Sequence, residues 1–176
     1  GFKRTQAPKA NGRATAYSKA EYSEYKNNLE KNMVSKEEFL RIMNDKSEKK
    51  LFKHYTDSVK NGDVSPLTDY DTYQKIATEL REKCIGLKTS NGIELKEISL
   101  HSIDRVIGSV EKRRSGVTVD GIVEALTSPD AKIMDPIYNK TKTKVSQKFI
   151  YKTTEVSVNP IDHILIQANP HHRERE

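Results

Sequence analysis

The hydrophobic residues of this chain change their spacing near Pro129, and that change limits the folds that the chain can form. In the stretch 103–110, apolar residues recur every three or four positions, which is the period of a helix with one buried face. In the stretch 155–158, polar and apolar residues alternate, which is typical of a strand with one buried face. Helices followed by strands predict an α+β fold.

The first half of the chain is predicted to be helical. The pattern of a serine followed three residues later by a glutamate is a capping box, and it occurs twice before residue 40. The segment 1–17 precedes these helices and has no period, so we interpret it as a basic linker or arm. The predicted helices begin at Ser18, at Ser35 and at Thr68 or Asp69, and a further helix between the last two carries the apolar residues Leu51, Phe52, Tyr55 and Val59.

The second half is predicted to form two helices packed on a small four-stranded antiparallel sheet. The first helix covers about 100–113 with Ile103, Val106, Ile107 and Val110 buried, and Thr118 caps the second. We therefore divide the chain into the arm 1–17, a helical region 18–87 and an α+β domain 88–176. The predicted strands are 132–134, 145–151, 154–158 and 163–168.

The charge of the chain favours a polyanionic partner. The formal net charge is +6, and the stretch 131–152 holds six lysines against Asp135 alone. Lysines of this kind release counterions when they lie near phosphates, although a merely soluble basic surface has the same composition. Cys84 excludes an internal disulfide and is expected to be a buried thiol. The sequence predicts no membrane span and no signal peptide.

His101 and Arg105 are the first candidate site residues. They are four positions apart and so share one helix face, away from the apolar stripe. An exposed pair of this kind is often only solvated surface. His101 lies at the start of its predicted helix, however, where free N–H groups favour an anion, and Arg105 could bind the same anion through two hydrogen bonds.

The polar side of the predicted sheet supplies the other candidates. Glu155 and Ser157 share one side of their strand, and Gln147 or Lys148 comes from a neighbouring strand. Exposed polar residues are ordinary on such strands. Together with His101 and Arg105, however, they form a set that can cleave a phosphodiester without a metal. No metal-binding motif is present, so neither a metal nor another cofactor is expected.

Several segments together resemble a known superfamily of ribonuclease-like modules. These segments are HSIDRVIG, GVTVDGIVEALTSP, QKFIYKTTEVSVN and ILIQANP, preceded by PLTDYDTYQKIATELREK, and they span residues 66–170. In this order they resemble the barnase, EndoU, colicin and RelE (BECR) superfamily, in the version found in phage minor head proteins and bacterial polymorphic toxins. The resemblance implies metal-independent RNA cleavage on the concave face of a sheet. It also implies a hairpin glycine, where this chain has Tyr151 or Lys152.

The resemblance assigns roles to the candidate residues. It implies that His101 and Arg105 correspond to the histidine and arginine of the family motif, and that polar residues of TEVSV line the same cleft. With the neighbouring strand, the predicted catalytic set is His101, Arg105, Gln147, Glu155 and Ser157, in which His101 is general base or acid and Arg105 is the phosphate contact. Asn169 of QANP would line the same cleft, beside His171. The residues expected to bind nucleic acid are Lys142, Lys144, Lys148, Lys152, Asn169 and His171.

We therefore expect a metal-independent endoribonuclease that cuts tRNA or other structured RNA and leaves a 2′,3′-cyclic phosphate. Such a toxin domain would be secreted or delivered into a target bacterial cytoplasm, or be associated with a phage, and a small acidic immunity protein would protect the producing cell. Because the chain begins with Gly1, we expect it to be part of a longer polypeptide. The alternative is a non-catalytic module of a phage structural protein that binds nucleic acid or a capsid partner.

Overall fold

A computed structural model describes residues 34–171 of the chain. These residues form an α+β fold of five helices and a mixed six-stranded sheet. The arm 1–17 and the helix predicted at Ser18 lie outside the described residues. The helices are α1 (Lys36–Met43), α2 (Lys46–Lys60), α3 (Tyr70–Cys84), α4 (Leu100–Ile107) and α5 (Val119–Thr127). The strands are β1 (Glu97–Ile98), β2 (Lys132–Ile133), β3 (Ile137–Tyr138), β4 (Val145–Tyr151), β5 (Thr154–Asn159) and β6 (Ile164–Pro170).

Each helix begins at a short polar side chain that accepts a hydrogen bond from a backbone N–H three residues later. This bond satisfies one of the N–H groups that a helix start leaves without an intrahelical partner. The caps predicted at Ser35 and Thr118 are confirmed, and Asp69 rather than Thr68 caps α3. The remaining caps are Asp45 for α2 and Ser99 for α4.

The sheet has six strands and is mixed, so the prediction of four antiparallel strands is only partly confirmed. β4, β5 and β6 form an antiparallel meander, as expected. β1 was not predicted and pairs in parallel with the start of β6, while β2 and β3 both pair with β4, one after the other along its outer edge. β1 and β3 contain two residues each, which is too short to show a period in the sequence.

α4 is shorter than predicted. It ends at Ile107, where Gly108 takes φ 84° and turns the chain away, so the predicted extension to residue 113 is wrong. Glycine adopts this left-handed backbone region without steric cost, and it therefore ends helices readily. Val110, which the prediction placed in the buried stripe, is 43% exposed as a result.

The sheet has one face packed against helices and one polar face. α4 packs against β6, and α5 packs against β4 and β5. Phe149, Val156 and Ala168 are buried on this packed side. Because side chains alternate along a strand, their neighbours Lys148, Glu155, Ser157 and Asn169 belong to the opposite side, which we call the polar face.

A buried polar cluster ties the helical region to α4. Asp104 is only 1% exposed, and its carboxylate accepts hydrogen bonds from the Ser58 hydroxyl at 2.7 Å and the Tyr73 hydroxyl at 2.6 Å. His54 Nε2 lies 2.9 Å from the same carboxylate. The hydrophobic core is also continuous from Ile42 to Ala168. The helical region and the α+β part therefore share one interior, and the proposed boundary near residue 88 stays a prediction.

None of the helices between residues 34 and 171 combines the length and the apolar composition needed to cross a membrane.

Candidate active site

α4 presents His101 and Arg105 together. Arg105 Nε donates a hydrogen bond to His101 Nε2 at 3.0 Å, as the four-residue spacing on a helix allows. The start of α4 is fixed to the sheet, because Ser99 caps the helix and its hydroxyl also donates to the Ile166 carbonyl of β6. The two side chains are therefore held beside β6 by their helix.

Arg105 connects the helix to the polar face of the sheet. Its Nη1 donates to Asn169 Oδ1 of β6 at 3.1 Å. Asn169 lies directly opposite Glu155 of β5 in the antiparallel register. Facing residues in such a pair have Cβ atoms about 5 Å apart, so Arg105, Asn169 and Glu155 form a continuous row.

Glu155 lies among cationic or protonatable side chains. Its carboxylate is 3.6 Å from Lys148 Nζ on β4 and 3.8 Å from His171 Nδ1, just after β6. The Glu155 and His171 side chains are 21% and 20% exposed, so solvent and a ligand can reach both. The backbone N–H of His171 donates to the Thr153 carbonyl, which fixes this end of the chain against the β4–β5 turn.

The electrostatics of α4 favour a neutral histidine beside a cationic arginine. Burial lowers the pKa of His101, and the nearby Arg105 guanidinium lowers that pKa further. Burial also lowers the pKa of Arg105, and the charge of Arg114 adds to this shift. Arginine nevertheless stays protonated in proteins, so this end of the site holds one fixed positive charge and one neutral imidazole at pH 7.

Arg114 is a residue that the sequence reasoning missed. It lies close enough to influence the pKa values of both His101 and Arg105. Its Nη2 is 3.9 Å from Asp63 Oδ1, yet its Nε and Nη2 are buried without a hydrogen-bond partner among the described residues. The only sequence signal was the basic run 112–114 shortly after α4, and that run carries no period.

Two of the predicted catalytic residues, Ser157 and Gln147, do not contribute to the row that joins Arg105 to Glu155. Ser157 is on the polar face near Glu155, but it is only 7% exposed, so the expected display of its hydroxyl is wrong. Gln147 shares the packed side of β4 with Phe149, and its amide donates to the Met134 carbonyl. The geometry therefore places Gln147 away from the row that joins Arg105 to Glu155.

The lysines that were expected to track a nucleic acid are divided between the two ends of β4. Lys142 and Lys144 lie before the strand, in the loop after β3, whereas Lys152 lies in the turn after it. A seven-residue strand is about 23 Å long at roughly 3.3 Å per residue, so the two ends are well separated. Of the predicted lysines, Lys148 is the one paired with Glu155.

The turn between β4 and β5 has Lys152 where the family resemblance implies a glycine. Lys152 has φ 53°, a left-handed conformation that glycine adopts most easily. The chain therefore keeps the backbone of a glycine turn without the glycine. The Lys152 ammonium lies 5.2 Å from the centre of the Tyr151 ring, at the distance of a cation–π contact.

The remaining sequence predictions concern single side chains. Cys84 is buried as expected, and burial raises the pKa of its thiol to about 11. Between residues 34 and 171, no three His, Cys, Asp or Glu side chains come together in a way that could hold a metal ion.

Comparison of the chain with protein-family models, with curated proteins and with solved structures found no match.

Proposed function

We propose that this chain is a metal-independent endoribonuclease. One observation carries the proposal: Arg105, Asn169, Glu155 and His171 come from three separate elements and form one row at the edge of the polar face. A cation, a carboxylate and an imidazole side by side are the groups that attack by a ribose 2′-hydroxyl requires.

Glu155 is the proposed general base. It takes the proton from the 2′-hydroxyl, whose oxygen then attacks the adjacent phosphorus. The O2′–P bond forms and the P–O5′ bond breaks, which gives a 2′,3′-cyclic phosphate on one fragment. Protonated His171 is the proposed general acid, and it gives its proton to the leaving 5′-oxygen so that the other fragment ends in a 5′-hydroxyl.

Arg105 and Lys148 are the proposed contacts for the phosphate. Negative charge grows on the non-bridging oxygens as the phosphorane forms, and a fixed guanidinium and ammonium lower the energy of that state. Arg114 adds positive potential to this end of the site, since its charge lowers the pKa of both His101 and Arg105.

His101 is proposed to position Arg105 rather than to transfer a proton. Its Nε2 accepts the hydrogen bond of Arg105 Nε, so the lone pair of that nitrogen is already engaged. Burial and the neighbouring guanidinium lower the pKa of His101, and this keeps the imidazole neutral and able to accept the bond. The sequence-derived role of His101 as base or acid is the less favoured reading of this geometry.

The biological setting follows from the same proposal. A nuclease of this kind would act as a toxin or effector domain on tRNA or other structured RNA, delivered into a target bacterium or associated with a phage. The producing cell would then need an inhibitor, and a small acidic immunity protein would complement the cations of the site. The competing function is a phage structural module that binds nucleic acid through these cations without cutting it.

An RNA cleavage assay in EDTA tests the proposal. The purified chain is incubated with total tRNA, and the products are separated on a denaturing gel. We expect cleavage by the unaltered chain and a loss of about 10²–10⁴-fold in rate for Glu155→Gln, the range typical of a lost general base.

Gln147→Ala is the matched control, because Gln147 lies on the same sheet but on its packed side. We expect this variant to cleave at the unaltered rate. RNA that stays whole while the protein retards it on a native gel would instead support the binding module. If Glu155→Gln cleaves RNA at an unchanged rate, the chain is still a ribonuclease, but the site proposed here is wrong.

A further inference from the structure

The end of the sheet that is remote from Glu155 carries an exposed stretch that the proposed active site does not use. Every residue of the stretch 134–144, which includes β3 and the β3–β4 loop, is exposed. Tyr138 of β3 pairs with Val145 of β4, and Ile150, five residues further along β4, pairs with Glu155. Five residues of strand are about 16 Å long at roughly 3.3 Å per residue. The exposed stretch is therefore separate from the proposed active site.

Three large apolar side chains are exposed at this end of the sheet. Ile137 is 69% exposed and Tyr138 is 54% exposed. Ile161, which is 62% exposed, belongs to the β5–β6 turn. This turn lies beside the β3–β4 loop, because Asn139 and Asp162 line one cavity. Exposed apolar side chains that lie close together are typical of a surface that contacts a partner or a membrane.

The same end of the sheet carries cations that no carboxylate neutralises. The β3–β4 loop contains no acidic residue, and its three exposed cations are Lys140, Lys142 and Lys144. Among residues 34–171 none of these lysines forms an ion pair, whereas Lys148 pairs with Glu155. Asp162, the carboxylate of the shared cavity, accepts a hydrogen bond from Asn159 Nδ2 at 3.0 Å instead. Three ammonium groups therefore face solvent beside the apolar side chains.

This combination of side chains favours a lipid surface over other partners. The phosphates of an RNA would use the lysines, but they would gain little from the aliphatic side chains of Ile137 and Ile161. The contact regions of proteins are depleted in lysine and enriched in arginine, and every cation of this loop is a lysine. Exposed apolar side chains with a tyrosine, flanked by lysines, are typical of a surface that enters the headgroup region of an anionic membrane.

The position of β3 at the edge of the sheet also suits a fluid partner. Neighbouring residues of a strand project to opposite sides, so Ile137 and Tyr138 expose apolar surface on both sides of β3. Among the described strands β3 pairs with β4 alone, which leaves its other edge open. A rigid partner that packed on one side would leave the other side in water, whereas lipid can close around both.

We infer that this end of the sheet binds the surface of an anionic membrane. The three apolar side chains enter the boundary between headgroups and acyl chains, and the three lysines of the β3–β4 loop contact anionic headgroups. The inference does not depend on the proposed ribonuclease function, because no residue of the row from Arg105 to His171 takes part in it.

Co-sedimentation of the full chain with lipid vesicles tests this inference. One set of vesicles contains phosphatidylcholine alone, and the other contains phosphatidylcholine and phosphatidylglycerol in equal parts. We expect the chain to sediment with the anionic vesicles and to stay in solution with the neutral ones. Binding should weaken as salt is added, because salt screens the attraction between lysines and headgroups. A chain that stays in solution with both sets of vesicles would overturn the inference.

Substitutions of exposed residues separate the apolar and the cationic contributions. Ile137→Ser should weaken binding to anionic vesicles about tenfold, because its side chain no longer leaves water. Replacement of both Lys140 and Lys142 by glutamine should weaken it about fivefold for each lysine. Val110→Ser is the matched control, because Val110 is 43% exposed and lies after α4, beyond the Arg105 end of the sheet. Equal affinities of Ile137→Ser and Val110→Ser would overturn the inference.

The possible outcomes separate this inference from the ribonuclease proposal. If RNA is not cleaved but the chain binds anionic vesicles and Ile137→Ser weakens that binding, the ribonuclease proposal fails and the membrane inference stands. If RNA is cleaved while anionic vesicles are not bound, the membrane inference is overturned. It is also overturned if the lysine substitutions abolish retardation of tRNA on a native gel while the unaltered chain binds no vesicles, because the lysines would then bind nucleic acid.

Discussion

At the scale of single residues, the site depends on how each side chain is held as much as on its chemical type. His101 and Arg105 are both candidates from the sequence, but the hydrogen bond between them gives them different roles. The histidine accepts from the arginine and so directs the guanidinium toward Asn169 and the sheet. An arginine fixed in this way loses less side-chain entropy when it binds a phosphate.

His101→Ala distinguishes positioning from proton transfer. We expect cleavage to fall about tenfold, far less than the roughly 10²–10⁴-fold loss of a general base or acid. The shape of the pH–rate profile should be the same in this variant as in the unaltered chain, because the imidazole of His101 does not transfer the proton. A changed profile, or a rate as low as that of Glu155→Gln, would assign proton transfer to His101 instead. The measurement is the pH dependence of RNA cleavage for both variants.

His54 makes the stability of the protein depend on pH. Its hydrogen bond to Asp104 raises the pKa of His54 in the folded state. The stabilisation is therefore complete below the unfolded value of about 6.5 and is lost as the pH rises through the raised folded value. We expect His54→Gln to be less stable than the unaltered chain by about 1.5–3 kcal/mol at pH 5.5, the range for a hydrogen bond to a charged group.

The measurement is the free energy of unfolding in urea across the pH range. The difference between the two proteins should narrow above pH 7. The pKa of His101 is lowered instead, so His101 contributes the opposite trend, in which stability falls at acid pH. His101 is present in both proteins and cancels in the comparison. A difference that stays constant with pH would contradict the role of His54.

At the scale of elements, α4 is held from two sides, and this fixes the position of the site. On one side Ser99 ties the helix start to β6. On the other side Asp104 accepts hydrogen bonds from α2 and α3, through Ser58 and Tyr73. Asp104 and Arg105 are adjacent in sequence, so the anchor and the proposed phosphate contact share one turn of helix.

Removal of the anchor should destabilise the whole fold. Asp104→Ala leaves three donors without their acceptor, and we expect a loss of about 3–5 kcal/mol, as for a broken buried charge pair. Asp57→Ala on α2 is the control, because Asp57 pairs with Lys53 at the surface and should contribute less than about 1 kcal/mol. Urea unfolding of both variants gives the comparison, and equal losses would show that the buried cluster contributes no special stability.

The β4–β5 hairpin carries local strain at Lys152. A non-glycine residue pays roughly 1–2 kcal/mol for a left-handed backbone, so Lys152→Gly should stabilise the protein. Loss of the contact with Tyr151 and the greater freedom of glycine in the unfolded chain reduce the expected gain to at most about 1 kcal/mol. Thr153→Gly in the same turn should instead destabilise. Thermal unfolding measures whether each variant is more or less stable than the unaltered chain. A loss of stability in Lys152→Gly would contradict the proposed backbone strain at Lys152.

At the scale of the whole molecule, the sequence predicted the elements that are long enough to show a period. β4 begins and ends where alternation placed it, and the caps of α1 and α5 are the predicted residues. β1 and β3 were missed because strands of two residues show no period of their own and are defined by their partners, although β2, equally short, was predicted within the stretch 132–134. The end of α4 was missed because the apolar spacing continues to Val110, past the turn at Gly108.

The site was predictable to the extent that alternation and helical spacing decide which side chains share a face. Those two rules placed Glu155 on the polar face and paired His101 with Arg105. Alternation also puts Gln147 on the side of Phe149, so this residue could have been excluded from the sequence alone. The covering of Ser157 could not be predicted, because it depends on how the neighbouring strands pair beside it. Arg114 depends on the path of an irregular loop, which no periodic pattern describes.

The chemical identity of the RNA ends tests the central claim most directly. After incubation of the chain with tRNA in EDTA, mass spectrometry of the fragments identifies the groups at the cut. Attack by the 2′-hydroxyl, with Glu155 as base and His171 as acid, predicts a 2′,3′-cyclic phosphate on one fragment and a 5′-hydroxyl on the other. Ends with a 3′-hydroxyl and a 5′-phosphate, or tRNA that is bound but remains whole, would contradict the account.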